Sequence, residues 1–137
     1  MDNNKPFTFE ARVYYEDTDV AGIVYYANYL RYLERARTEW IRTLGIDQSV
    51  LIEQGLAFAV THVNINYLKP ARFNDQLEIV TVVKKAGKAS LMFEQIARNK
   101  VNPELVYCKA DVKAVCIIME SMKPVALPTR ILEEVAQ

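Results

Sequence analysis

The chain has 137 residues, 51% of them hydrophobic, which suits one folded domain with one apolar core. Its 17 lysines and arginines balance 17 aspartates and glutamates, so no overall field favours nucleic acid or an anionic membrane. No segment approaches the roughly 18 apolar residues of a membrane span, and the first residues lack the apolar run of a signal peptide. We therefore expect a single domain over residues 1–137, soluble and cytoplasmic, without a nucleic-acid partner.

The two cysteines, Cys108 and Cys116, have no neighbouring cluster of ligand residues. Their spacing fits neither a disulfide framework nor a zinc site, so we expect two buried free thiols and no metal. The sequence also contains no glycine-rich phosphate loop and no dinucleotide fingerprint, and it therefore indicates no bound cofactor.

The first half of the chain contains one strong helical pattern. Residues 7–15 are rich in aromatic side chains and alternate in part, which predicts a first strand followed by a loop over 16–22. Over 28–44, apolar residues recur at steps of three and four, which predicts a long helix that Gly45 ends. The apolar positions of this helix are Tyr29, Leu30, Leu33, Ala36, Trp40, Ile41 and Leu44.

The second half of the chain is dominated by strand patterns. A short helix is predicted over 47–54, with Asp47 as its N-cap and Gly55 at its end. Four strand-like segments then lie near residues 58–68, 76–85, 90–100 and 105–119, and a short helix over 128–135 closes the chain. The economical arrangement is an α+β fold in which one long antiparallel sheet wraps around the helix over 28–44.

The loop before the long helix carries two carboxylates, Asp17 and Asp19, and Gly22 allows close backbone approach to a bound group. The start of a helix presents unpaired N–H groups that can polarise a carbonyl. A nearby carboxylate can attack that carbonyl or deprotonate a water molecule. The same aspartates can equally serve as caps of the loop and helix, and the spacing leaves both interpretations open.

Three stretches resemble a known family. They are Asp-Thr-Asp-Val-Ala-Gly-Ile-Val-Tyr-Tyr-Ala-Asn-Tyr over 17–29, Tyr-Leu-Glu-Arg-Ala-Arg-Thr-Glu over 32–39, and a strand followed by a Pro-Ala-Arg-Phe turn over 63–75. They resemble the 4-hydroxybenzoyl-CoA thioesterase group of hotdog proteins, and most of all the bacterial acyl-CoA thioesterases associated with the Tol-Pal system. The resemblance covers nearly the whole chain and implies a hotdog fold that hydrolyses acyl-CoA.

The resemblance also implies roles for individual residues. Asp19 matches the catalytic carboxylate, which acts as nucleophile or as general base, and Asp17 orders the loop. The backbone N–H of Tyr26 matches the group that polarises the thioester carbonyl, while Tyr15 matches an aromatic residue that lines the site. Many Tol-Pal-type relatives have histidine where this chain has Tyr26. The backbone role does not depend on that side chain.

Basic residues are candidates for the CoA phosphates, because the family places cations after the corresponding strand. Lys84, Lys85 and Lys88 surround one predicted turn, and Lys69 and Arg72 lie in another. Lys88 is the preferred candidate for substrate binding, although charged hairpin tips also occur simply to blunt sheet edges. CoA enters this scheme as part of the substrate and not as a cofactor.

Family resemblance further implies a homodimer or homotetramer with active sites at the subunit interface, where Asp19 faces the neighbouring subunit. Two other functions compete with hydrolysis. A hotdog hydratase normally uses a catalytic histidine, but the sole histidine, His62, is far from Asp19 in sequence. A non-catalytic acyl-CoA-binding or adaptor protein is the alternative from another functional class.

Overall fold

Residues 5–136 are described by the computed structural model, and within them five strands form one antiparallel sheet. The elements are β1 (Phe7–Arg12), α1 (Tyr29–Thr43), α2 (Gln48–Glu53), β2 (Leu56–Tyr67), β3 (Gln76–Ala86), β4 (Ser90–Asn99), β5 (Val106–Ile118) and α3 (Thr129–Val135). The strand order is β1-β3-β4-β5-β2, which leaves β1 and β2 at the two edges. The predicted α+β arrangement of a long helix against an antiparallel sheet is confirmed.

The long helix α1 follows the apolar pattern closely, since it begins and ends within one residue of the predicted bounds. Its buried face is formed by Tyr29, Tyr32, Leu33, Ala36, Trp40 and Ile41. The ring of Trp40 packs edge-on against Phe93 of β4, with 5.6 Å between centroids. Gly45 follows the helix with φ of 80°, a conformation that favours glycine. Within residues 5–136 no helix has the length and apolar character needed to cross a membrane.

A polar side chain fixes the helix to the middle of the sheet. Gln95 of β4 is fully buried, and its Nε2 donates to the carbonyl of Leu33 and to Oγ1 of Thr81, each at 2.9 Å. Its Oε1 accepts from Nη1 of Arg37 at 2.9 Å. A buried amide with both ends bonded specifies one arrangement, because any slip of the helix would leave polar atoms unpaired.

The predicted first strand is too long, since β1 ends at Arg12 and not near residue 15. Beyond it, Tyr14 donates its backbone N–H to Oδ2 of Asp17, and a 3₁₀ turn over Tyr15–Asp17 leads the chain away from the sheet. The aromatic side chains of Tyr14 and Tyr15 suggested a strand, but they are 61% and 81% exposed. The local side-chain hydrogen bond outcompetes the sheet here.

Other local predictions agree with the structure. Asp47 caps α2 by accepting the backbone N–H of Ser49 at 2.9 Å, as predicted. Cys108 and Cys116 are buried free thiols, also as predicted. Burial raises the pKa of Cys108 to about 11 and also raises the pKa of Cys116, so both remain protonated at neutral pH.

Strand β2 leaves apolar surface uncovered. Its side chains that face the same side as the buried residues of β5 are all apolar: Phe58, Val60, Val63, Ile65 and Tyr67. Of these, Val60, Val63 and Tyr67 remain 48%, 38% and 43% exposed. In residues 5–136 the outer backbone edge of β2 pairs with no other strand. A long apolar edge of this kind is suited to pairing with a further strand.

Candidate active site

The loop between β1 and α1 folds back on itself around Asp19. Thr18 and Val24 form an antiparallel bridge, and the N–H of Asp19 donates to the carbonyl of Ile23 at 2.9 Å. The N–H of Gly22 donates back to the carbonyl of Asp19 at 3.0 Å. Gly22 has φ of 78°, yet a Cβ added there would meet no atom within 4 Å. Glycine is therefore required by the backbone conformation and not by crowding inside the subunit.

Asp19 presents an accessible carboxylate. Its Oδ1 accepts the backbone N–H of Ala21 at 2.8 Å, which fixes the side chain in a local turn. Its Oδ2 accepts no hydrogen bond from residues 5–136, and the side chain is exposed. The carboxylate is thus held at one oxygen while the other is open to a bound molecule.

Asp17 differs from Asp19 in its surroundings. Only 8% of Asp17 is exposed, and its Oδ2 accepts the hydroxyl of Tyr32 at 2.8 Å and the backbone N–H of Tyr14 at 2.9 Å. Both contacts occupy the carboxylate within the fold. The geometry agrees with a loop-ordering part for Asp17 and leaves Asp19 as the carboxylate that faces outwards.

Tyr26 begins a short 3₁₀ helix over Tyr26–Asn28 that continues into α1. The first N–H groups of such a helix have no acceptor within it. The preceding residue, Tyr25, provides no side-chain cap. The backbone N–H of Tyr26 therefore lies at the uncapped, electropositive end of a helix, two residues after the bridge that closes the Asp19 loop.

A cleft of about 250 Å³ opens beside this helix start. It is lined by Ile23, Val24, Tyr26, Tyr29, Tyr67, Leu68, Lys69 and Pro70. The ring centroids of Tyr29 and Tyr67 lie 5.7 Å apart, and the hydroxyl of Tyr29 accepts the N–H of Ala71 at 3.2 Å. Burial raises the pKa of Tyr29 to about 12 and also raises the pKa of Tyr67, so both phenols are neutral at physiological pH.

The structure brings some predicted site residues together and separates others. Asp19, Gly22 and Tyr26 share one loop and helix start. Tyr15 stacks on Phe73 with 4.8 Å between centroids and does not line the cleft beside Tyr26. Within one subunit, Tyr15 is therefore a neighbour of the loop and not a wall of that cleft.

Lys88 lies at the opposite end of the sheet from Tyr26. The register places Ser90 opposite Val115, whereas Tyr67, which contacts Tyr26, pairs with Cys108. These two rows are about 23 Å apart along the strands. Lys88 of one subunit therefore does not reach the Asp19 loop of that same subunit.

The cation in the cleft is Lys69, which the sequence indicated only as a secondary candidate. Arg72 follows it by three residues and forms an antiparallel bridge with Ile23 of the loop that contains Asp19. The available signal was the Lys-Pro-Ala-Arg turn directly after the strand that contains Tyr67. Among residues 5–136 no cluster of three or more potential metal ligands occurs.

A second cleft of about 240 Å³ lies near the other end of α1. Its walls include Ile41, Phe58, Val60, Leu91 and Phe93, with Glu34, Arg37 and Thr38 at its polar side. Phe58 lines this second cleft and not the one beside Tyr26. His62 is exposed on β2, next to an irregularity in its pairing with β5, and lines neither cleft.

Comparison with known proteins identifies the family. Residues 13–135 match the thioesterase-like superfamily. The acyl-CoA thioesterase YbgC of Haemophilus influenzae is 45% identical over 133 residues, which cover 96% of this chain and 93% of that protein. The acyl-CoA thioester hydrolase YbgC of Escherichia coli O6:H1 is 42% identical over 135 residues, covering 98% and 99% respectively.

The fold also matches solved structures. The crystal structure of Slr0204, a 1,4-dihydroxy-2-naphthoyl-CoA thioesterase from Synechocystis, superposes with a TM-score of 0.89 at 24% identity and covers 96% of each chain. This likeness confirms the predicted hotdog fold. With full-length relatives at more than 40% identity and a family match over nearly all of its residues, the chain belongs to the thioesterase-like superfamily.

Proposed function

We propose that the protein hydrolyses acyl-CoA thioesters to a free acid and CoA, with Asp19 as its catalytic carboxylate. The observation that carries the proposal is the open Oδ2 of Asp19 in a loop that closes beside the uncapped helix start at Tyr26. The acyl-CoA substrate class is supported by the two YbgC relatives, which are named for that activity.

The chemistry needs one donor and one carboxylate. The backbone N–H of Tyr26 donates to the thioester carbonyl oxygen and stabilises the negative charge that develops there, a contribution typically of about 2.7–4 kcal/mol. In one route Asp19 attacks the carbonyl carbon, expelling the CoA thiolate and leaving a mixed anhydride that water cleaves. In the other route Asp19 takes a proton from the water that attacks. Both routes use the same open oxygen.

The catalytic unit we propose is a homodimer in which the β2 edges of two copies pair antiparallel. Such pairing satisfies the open backbone edge and brings a second α1 towards the uncovered side chains of Val60, Val63 and Tyr67. A two-fold axis reverses the strand direction, so the first half of one β2 lies against the second half of the other. Dimers can pair further into a tetramer.

This pairing joins the two clefts across the interface. Within one subunit, Phe58 and Tyr67 lie about 30 Å apart along β2, too far for one acyl group to bridge. Pairing over Val60–Tyr67 sets Val60 about 5 Å from the partner's Tyr67, the usual spacing between strands. The thioester bound at one Asp19 loop then extends its acyl group into the partner's cleft around Ile41 and Phe58.

Binding of the CoA portion is assigned to cations at the same end of the dimer. Lys69 lines the cleft beside Tyr26, and Arg72 follows in the same turn. The two-fold axis also carries the partner's Lys88 to this end of the sheet, which is how Lys88 can contribute despite its distance within one subunit. We assign Gly22 and Tyr15 to substrate binding as parts of the Asp19 loop and of the 3₁₀ turn before it.

We also propose a group and a branch for this protein within its superfamily. The motif over 17–29 supports membership of the 4-hydroxybenzoyl-CoA thioesterase group, in the branch associated with the Tol-Pal system. A cytoplasmic location fits a substrate that carries CoA.

The test is thiol release from a panel of short, long and aromatic acyl-CoAs, followed with a thiol reagent. Hydrolysis of at least one ester, with a measurable kcat, is the expected outcome. Calorimetric binding of a non-hydrolysable acyl-CoA analogue distinguishes the competing function. Binding without turnover of any ester would replace the hydrolase with an acyl-CoA-binding or adaptor protein.

A further inference from the structure

Asp17 connects three separate parts of the fold through one residue. Its carboxylate accepts from Tyr14, just after β1, and from Tyr32, in the first turns of α1. Its carbonyl accepts the backbone N–H of Tyr25 and Nδ2 of Asn28, each at 2.9 Å. Four donors therefore converge on one residue of the loop.

These contacts bracket both reacting groups. Asp19 follows Asp17 by two residues, while Tyr25 and Asn28 lie on either side of the helix start whose first N–H belongs to Tyr26. A shift of Asp17 would therefore change the separation between the carboxylate of Asp19 and the N–H of Tyr26. The loop and the helix start share no other side-chain hydrogen bond among residues 5–136.

Tyr32 is a buried side chain that anchors the carboxylate of Asp17 to the core. It is 1% exposed, so it cannot touch substrate, and its hydroxyl lies 2.8 Å from Oδ2 of Asp17. Burial and the charge of Asp17 raise the pKa of Tyr32, which keeps the phenol a donor. Within the described residues no lysine or arginine forms an ion pair with Asp17. A buried carboxylate without a cation depends on such neutral donors.

We propose that Tyr32 is a positioning residue for thioester hydrolysis, holding Asp17 so that the carboxylate of Asp19 and the N–H of Tyr26 keep their reactive separation. This inference rests on the proposed function. It adds a residue to those that the reaction needs, because Tyr32 supports catalysis without contacting the substrate. Its role is exerted through the hydrogen bond to Asp17 alone.

The test compares Tyr32→Phe with Tyr107→Phe. Tyr107 is also fully buried and also donates its hydroxyl to an aspartate, Oδ2 of Asp75, at 3.0 Å. Both variants lose one buried phenol hydroxyl, but only Tyr32 bonds to the catalytic loop. We expect kcat of Tyr32→Phe to fall about 10- to 100-fold with KM changed less than about threefold, because a displacement near 1 Å has effects of this size. Tyr107→Phe should keep kcat within about twofold.

A double variant tests whether the hydrogen bond is the cause. If Tyr32 acts only through Asp17, then Tyr32→Phe combined with Asp17→Asn should lose no more kcat than the more damaging single change. Multiplicative losses in the double variant would overturn the proposal. So would equal losses of kcat in Tyr32→Phe and Tyr107→Phe, since these would reflect general loosening of the fold.

Hydrogen exchange makes the test independent of the reaction itself. The amides of Asp19 and Tyr25 donate to Ile23 and Asp17 in the present structure. Their exchange should accelerate in Tyr32→Phe and stay unchanged in Tyr107→Phe. Unchanged exchange in Tyr32→Phe would overturn the positioning role whether or not the protein hydrolyses thioesters. Faster exchange in a protein without turnover would instead retain the anchor and reject the proposed function.

Discussion

The ring of Tyr26 meets the ring of Tyr67 edge-on, with centroids 5.9 Å apart and planes at 87°. This contact joins the start of the 3₁₀ helix to the exposed end of β2. The group we propose as the carbonyl-polarising donor therefore rests against the strand that we propose pairs with a second subunit. The proposed substrate site and the proposed dimer interface therefore share this pair of aromatic residues.

Two variants of Tyr26 distinguish the role of its backbone N–H from that of its side chain. Tyr26→Pro deletes the N–H, and proline is tolerated in the first position of a helix. The residue before it, Tyr25, already has the extended conformation that a following proline favours, with φ of −62° and ψ of 129°. We expect kcat to fall about 10²- to 10³-fold, the usual effect of losing one such donor. Tyr26→Ala also removes the ring but keeps the N–H, so it should retain most of kcat. Equal kcat values for the two variants would exclude the backbone N–H as the donor.

Gly22 should be sensitive because of its backbone conformation. Gly22→Ala places a Cβ at φ of 78° and should reduce the free energy of unfolding by about 1–2 kcal/mol. Gly45→Ala is the matched control, because φ there is 80° and Gly45 lies after the far end of α1. Urea titrations should show similar losses of stability, whereas only Gly22→Ala should lower kcat. A full kcat in Gly22→Ala would show that the turn around Asp19 tolerates distortion.

The composite site predicts complementation between two inactive variants. Asp19→Asn removes the carboxylate, and Thr38→Trp fills the second cleft, which Thr38 lines. When the two variants are unfolded together and refolded, about half of the dimers are heterodimers. One of the two sites in each heterodimer combines an intact loop with an intact cleft. Activity should therefore recover to about a quarter of the wild-type value. Recovery fails if loop and cleft come from the same subunit, because each heterodimer site then carries a lesion.

The stability of the fold should fall at high pH because of Tyr29. Its pKa rises from 10.0 in the unfolded chain to about 12 in the fold, where burial disfavours the phenolate. Its contribution to stability is complete below pH 10 and is lost as pH rises towards 12, since the unfolded state ionises first. Urea titrations should show a smaller decline across this range for Tyr29→Phe than for the wild type. Parallel declines would assign the effect to other groups.

Local patterns predicted most of the fold. The spacing of Leu33, Ala36 and Trp40 identified α1 because helical periodicity is local, and Asp47 identified the start of α2 for the same reason. The end of β1 was misplaced because the contact between Tyr14 and Asp17 depends on a side-chain hydrogen bond that composition does not reveal.

The candidate site was less predictable, because distance across the sheet is not a local property. Lys88 and Lys69 both lie in basic turns, but antiparallel pairing places these turns at opposite ends of the strands. Likewise, the choice between Asp17 and Asp19 came from resemblance, whereas the structure adds the physical distinction. Tyr32 occupies the carboxylate of Asp17, and that of Asp19 stays open.

The central claim is most directly tested by the rate of thiol release from the best acyl-CoA substrate in Asp19→Asn. We expect kcat to fall at least about 10³-fold, because the amide can neither attack the carbonyl nor accept a proton from water. Glu16→Gln is the control, since it neutralises an exposed carboxylate in the same loop and should leave kcat unchanged. Wild-type kcat in Asp19→Asn would contradict the assignment of Asp19 as the catalytic carboxylate.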